Sequence, residues 1–215
     1  FNNNIIKVLQ KRARESIPKE REDYFWRLKK FYIFPEQLVF IDETSKDGRS
    51  SARRYAWAPI NTPAIVSLPF SRGKRVSAIA AMDSTGFIGW ETTTGTFNSD
   101  SFHNAIVNSI LPKLNPYPTK NSIVILDNAK IHMYQTFIDA IESRGAIVLF
   151  LPPYSPQLNP IETGFSLVKR WIQKEANLAF PHYPTQILEL ALMQCATEGV
   201  QTLNLYKHSG YEVGG

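Results

Sequence analysis

Two short apolar runs, each stopping on an acid, constrain this chain more than any other feature. Leu38 to Ile41 runs into Asp42 and Glu43, and Ile123 to Leu126 runs into Asp127. A continuous apolar run bounded by polar residues is the pattern of a strand buried on both faces, as in a parallel sheet covered by helices. Each acid then sits at the carboxyl end of its strand, the edge where open α/β sheets carry their sites. Charges at the rim of a low-dielectric core are costly unless neutralised, and no Lys or Arg lies within two residues of Asp42 or Asp127. Divalent metal is the natural neutraliser. The single cysteine, Cys195, excludes an intrachain disulfide and a cysteine-based zinc cage, so an oxygen-only donor set points to Mg²⁺ or Mn²⁺. The plain alternative for either acid taken alone is a turn or cap residue.

The rest of the pattern is α/β. Residues 5–32 read as helical with a break near Pro18, more a connecting arm than part of a core. Strand candidates at Tyr55–Trp57, Ala64–Leu68, Arg75–Met82 and Gly86–Glu91 suggest an antiparallel meander after the first apolar run. Asn98–Leu114 reads as a helix capped by Asn98 or Ser99, with Phe102, Ala105, Ile106, Ile110 and Leu114 as its apolar stripe. After the strand ending on Asp127, a helix over Tyr134–Ser143, closed by Gly145, leads to a strand over Ala146–Leu151. Strand, helix, strand is the signature of a parallel crossover. Helices follow over Ile161–Asn177 and Pro184–Glu198, and Gly199 onward reads as a weakly ordered tail. The expected fold is thus a mixed central sheet, antiparallel hairpins then parallel strands, flanked by helices.

Glu162 is a third acid of interest. Asn159, Pro160 and Glu162 fall at N-cap, N1 and N3 of the helix they open, so the word also reads as a capping box. Capping and metal binding do not exclude each other. The three acids sit in longer words: Phe40-Ile-Asp-Glu-Thr44, Ile125-Leu-Asp-Asn-Ala-Lys-Ile-His132 and Leu151-Pro-Pro-Tyr-Ser-Pro-Gln-Leu-Asn-Pro-Ile-Glu162, with 34 residues between Asp127 and Glu162. These words, in this order and at this spacing, resemble the three blocks of the mariner-type DDE transposases and their bacterial insertion-sequence relatives. Trp57-Ala-Pro59 and Lys11–Arg14 resemble further segments of that family, so the likeness covers roughly residues 5–175.

The resemblance implies a ribonuclease H-like core in which Asp42, Asp127 and Glu162 are catalytic and hold Mg²⁺ or Mn²⁺, as two ions. Such ions can activate an attacking oxygen and stabilise a leaving one in an in-line phosphoryl displacement. The implied reaction is cleavage at transposon ends and transfer of the freed 3′-hydroxyl into target DNA. The implied partners are double-stranded DNA, as terminal repeats and target, and a second copy of the chain in a synaptic homodimer. The resemblance also divides the chain into a helical basic arm over 1–35, joining a missing helix-turn-helix region, a catalytic domain over 36–200, and a tail over 201–215.

Charge agrees with a polyanionic partner. Residues 1–30 hold nine basic and four acidic side chains, and so contain the whole net charge of +5. Lys46, Arg49, Arg53 and Arg54, with Arg72, Lys74 and Arg75, form basic clusters beside the hairpin strands. Lys169, Arg170 and Lys174 lie on the polar side of the Glu162 helix, and His132 lies near Asp127. All are candidate phosphate contacts, with solvated charge or a structural histidine as the plain alternative. Glu43, alternating with Asp42, is expected on the opposite face of its strand. Trp57, Trp90 and Trp171 are expected in the core. No run approaches the ~20 apolar residues of a membrane span. With one cysteine nothing requires an oxidising compartment, so the expectation is an intracellular protein, nuclear if the host is eukaryotic and otherwise in the cytoplasm or nucleoid. Rival readings are a ribonuclease H-like nuclease that only hydrolyses, against which the Pro-rich word before Glu162 argues, and a domesticated DNA-binding protein without turnover.

Overall fold

The computed structural model describes residues 18–47, 57–63, 65, 73–127, 135–197 and 202–213. Among these, the two apolar runs form neighbouring central strands of a five-stranded sheet. Strand β1 (Leu38–Lys46) pairs antiparallel with β2 (Val76–Asp83), which pairs antiparallel with β3 (Gly86–Thr94). On its other side β1 runs parallel to β4 (Ile123–Leu126), and β4 runs parallel to β5 (Ile147–Phe150), giving the order β3-β2-β1-β4-β5. The crossover is as expected, and of the expected meander the strands over Arg75–Met82 and Gly86–Glu91 form.

Both faces of the sheet are covered, which is why its central strands carry unbroken apolar runs. Leu38, Phe40, Ile123 and Ile125 face helices α4 (Pro160–Glu175) and α5 (Pro184–Thr197), packing with Ile161, Phe165, Val168, Ile172, Leu188 and Leu192. Val39, Ile41, Val124 and Leu126 face the opposite layer, built from α2 (Ser99–Ala105), the segment that follows it, and α3 (Gln135–Ser143), with Ile106, Ile110, Phe137 and Ile141. Each large apolar side chain buried in this way contributes about 1.5–3 kcal/mol before the entropy of ordering is set against it.

Several expectations need correction. Asp42 does not end its strand. β1 continues to Lys46 because β2 keeps pairing with it, from Asp42 opposite Ala80 to Lys46 opposite Val76, after β4 has stopped. The helix expected over 98–114 ends as an α-helix at Ala105 and continues as a π-turn over Ile106–Ile110 and a 3-10 turn over Leu111–Lys113. Pro112 cannot continue the hydrogen-bond ladder, and Gly89 of β3 presses so close that a Cβ there would stand 2.3 Å from the Ser109 carbonyl oxygen. Asn98 does cap α2, accepting from the Ser101 amide at 2.8 Å.

Residues 57–63 and 65 carry no strand, and Trp57, Ile60 and Ile65 are almost fully exposed, so Trp57 is not a core residue. The remainder of those two strand expectations lies outside the described residues. Trp90 and Trp171 do pack against the core.

Helix α1 (Pro18–Lys29) is not a detached arm, because Tyr24 and Leu28 are buried in the main core. The supposed tail also belongs to the core. It forms α6 (Thr202–His208), and Tyr206 and Tyr211 set their rings edge-on to Phe40 at 5.0 and 5.1 Å. Among the described residues no helix is long and apolar enough to cross a membrane.

Candidate active site

The parallel register of β1 and β4 brings two acids together. Ile41 lies opposite Leu126, so the next residue of each strand, Asp42 and Asp127, is its neighbour across an interstrand gap of about 4.8 Å. Both alternate onto the face of Phe40 and Ile125, the face that α4 covers. Ile161 and Phe165 pin the start of α4 there, and Gly164 lets it lie close, since a Cβ would come within 3.0 Å of the Phe87 ring and 3.1 Å of the Met82 sulfur. Glu162 thus projects from the first turn of α4 at the same edge, where the positive end of the helix dipole favours negative charge.

The three acids line one cleft of about 470 Å³, roofed by Leu151, Pro152, Pro153, Tyr154, Ser155 and Pro156. Crowding of like charge shows in Asp42. Its carboxyl is pushed up to about 7, first by burial, then by the charge of Glu162, with Asp127 and Glu43 adding to the effect. The Glu43 amide, which donates to Asp42 Oδ1 at 2.7 Å, opposes this. Glu43 itself alternates onto the opposite face, as expected. There it lines a second cleft of about 330 Å³ with Arg75, Phe97 and Phe102, into which Asp42 and Asp127 also open.

Asn159 departs from its expected part. Its side chain makes no cap bond to the first turn of α4, although Pro160 does occupy the first helical position. Instead Nδ2 donates to Asp42 Oδ2 at 3.0 Å, while Oδ1 is buried without a partner. A hydrogen bond to a charged group is worth about 1.5–3 kcal/mol, more than a typical cap. Sequence could not have separated the two roles, because the residue that would cap α4 is also the one that reaches β1.

The basic candidates fare unevenly. Lys46 is not a surface phosphate contact. It is only 4% exposed, with Nζ 5.6 Å from the centre of the Phe180 ring, and its ammonium is pushed down to about 8 by burial and then by Lys169. It shares the face of Asp42, and α4 covers that face. Lys74 and Arg75 are exposed just before β2, and Arg170 is exposed on α4 with Lys169 half-buried beside it. Lys174 pairs with Glu175 at 2.8 Å on the surface. Arg49, Arg53, Arg54, Arg72 and His132 lie outside the described residues.

The model of the DDE superfamily endonuclease family matches residues 37–181, two thirds of the chain, spanning all three acids. The chain belongs to this family. The DDE domain is also similar to solved transposase complexes. A pre-cleavage Mos1 transpososome matches at 18% identity and TM-score 0.56, over 99% of this chain and 69% of that one. The Mos1 strand transfer complex matches at 18% and 0.55, over 97% and 67%. The Mos1 mariner paired end complex with Mn matches at 18% and 0.54, over 99% and 69%. At that identity the likeness is one of fold, and the fold of the DDE domain is ribonuclease H-like. Among curated proteins none matches at a significant level.

The donor set of the DDE domain suits a hard divalent cation, being all carboxylate oxygen and short of positive charge. Among the described residues no three His, Cys, Asp or Glu side chains are drawn together tightly enough to hold an ion. Glu162 is exposed at the start of its helix.

Proposed function

We propose that the chain is the catalytic domain of a transposase, a divalent-metal-dependent endonuclease that cuts DNA at transposon ends and transfers the freed 3′-hydroxyl into target DNA. What supports this most is the convergence of Asp42 from β1, Asp127 after β4 and Glu162 from α4 on one cleft. In this reading the three carboxylates hold Mg²⁺ or Mn²⁺ as two ions, Asp42 and Asp127 from the sheet and Glu162 from the helix. When bound, the ions supply Lewis-acid activation of the attacking oxygen and charge neutralisation at the leaving one. The carboxylates are not nucleophiles. Water attacks in the first step and the freed 3′-hydroxyl in the second, so no covalent bond to the protein forms. Lys74, Arg75, Lys169 and Arg170 are candidate phosphate contacts in this reading.

Solved complexes of Mos1, with paired ends and with Mn or Mg, support double-stranded DNA, a divalent ion and a homodimer as partners here. In this reading the protein acts inside the cell, in the nucleus if the host is eukaryotic and otherwise in the cytoplasm or nucleoid. The test is nicking of supercoiled plasmid with Mg²⁺ or Mn²⁺. Glu162→Gln and Asp127→Asn should each lower the rate by roughly 100-fold or more while leaving the far-ultraviolet spectrum unchanged. A wild-type chain no faster than Glu162→Gln would refute the enzymatic reading. Joining of a pre-cut 3′-hydroxyl end then separates a transposase from a nuclease that only hydrolyses.

A further inference from the structure

Asn159 is a neutral side chain bonded to Asp42, and its geometry is not that of a helix cap. An N-cap amide oxygen normally accepts an N–H from the first turn. Here that oxygen is buried and unpartnered while the amide nitrogen turns the other way, onto Asp42 Oδ2 at 3.0 Å. An ionised carboxylate can only accept, so the nitrogen is the end that must face it. Asp42 is thereby gripped at both oxygens, Oδ1 by the Glu43 amide at 2.7 Å and Oδ2 by Asn159.

The backbone that carries Asn159 is itself held. The preceding carbonyl, of Leu158, accepts from the Tyr211 hydroxyl at 2.8 Å, and Tyr211 lies 2.8 Å from the Tyr24 hydroxyl. Tyr211 has one proton and gives it to Leu158, so Tyr24 is the donor to Tyr211. The chain of bonds runs from α1 through Tyr24, Tyr211 and the Leu158–Asn159 backbone to Asp42. All its members are at most 4% exposed except Asp42 itself, which is half-buried.

We propose that Asn159 is a positioning residue that fixes the orientation of the Asp42 carboxylate for cation binding, with Tyr24 and Tyr211 as its support. This rests on the reading of Asp42 as a metal ligand. Groups that orient a ligand from behind typically carry 10–100-fold of metal affinity.

The test measures Mn²⁺ binding to the DNA-free chain by electron paramagnetic resonance, in wild type, Asn159→Ala, Asn159→Ser and Asp42→Asn. Serine is a good N-cap whose hydroxyl is too short to reach Asp42, so it keeps the helix start while losing the grip. Positioning predicts that Asn159→Ala and Asn159→Ser both weaken Mn²⁺ binding by about tenfold or more. Tyr211→Phe, which releases the Leu158 carbonyl and the Tyr24 hydroxyl but leaves Asn159 in place, should weaken it less. A folded Asn159→Ser chain that binds Mn²⁺ like wild type would overturn the proposal in favour of simple capping. If Asp42→Asn also binds like wild type, the metal reading of Asp42 fails with it; if Asp42→Asn loses binding while Asn159→Ser keeps it, only the role of Asn159 falls.

Discussion

At the scale of single residues, Asp42 carries a conflict that only a cation or a proton resolves. Its carboxyl sits at about 7 in the fold against an ordinary 3.8, raised by burial and by Glu162. The folded protein therefore binds a proton more tightly than the unfolded chain, and wild-type stability falls as pH rises between about 4 and 7. Asp42→Asn removes the charge and keeps an oxygen to accept from Asn159. Without metal, this variant should be more stable than wild type by about 1–3 kcal/mol at pH 8, a figure reduced from the full shift for partial solvent access, and equal to it near pH 4. Urea midpoints across that range measure it; a gap between variant and wild type that stays constant with pH would show the carboxyl to be unperturbed, and a wild type that gains on the variant would show it lowered. Asp42 and Asp127 stood out in sequence because each follows an apolar run, whereas Glu162, which has a plain capping explanation, stood out through the words that resemble the family's blocks. Asn159 and Lys46 did not, since a cap residue and a cap residue turned toward a distant strand are written identically, and burial of a lysine depends on Phe180, which lies 134 positions away in the chain.

At the scale of elements, close packing of layers rests on two glycines that do different work. Gly89 in β3 faces backbone, the Ser109 carbonyl in the π-turn after α2, which cannot yield without moving the whole turn. Gly164 in α4 faces the tips of Phe87 and Met82, side chains that can shift. Gly89→Ala should therefore cost about 2–4 kcal/mol, while Gly164→Ala should cost about 1 kcal/mol or less, because alanine's helix propensity offsets part of the crowding. Thermal or urea denaturation ranks the two, and the reverse ranking would contradict the packing. Strands β1, β2, β3, β4 and β5 and helices α3, α4 and α5 were readable from period and punctuation. The π-turn was not, because Ile106 and Ile110 keep helical spacing while the close approach that distorts them comes from another strand. α6 escaped notice for a related reason: seven residues give too short a window for a period to show.

At the scale of the whole molecule, the two segments expected to lie outside the core, residues 18–29 and 202–213, meet over Phe40 through Tyr24, Phe25, Tyr206 and Tyr211. Ending the chain at Gln201 would expose Leu38 and Phe40, leave the Leu38 and Leu158 carbonyls without their tyrosine donors, and strip α1 of its partner. Calorimetry should then show no cooperative transition for the shortened chain; a transition close to that of the full chain would mean that residues 202–213 are dispensable. The Tyr24–Tyr211 bond spans 187 positions, a separation that sequence pattern cannot reveal and that has its own consequence for biosynthesis. Contacts of such long range are slow to form. The acids of β1 and β4 can pair on a growing polypeptide, but the rim that steadies them waits for a tyrosine made long after both. The Leu158 carbonyl beside Asn159 thus gains its tyrosine donor only once translation has passed Tyr211.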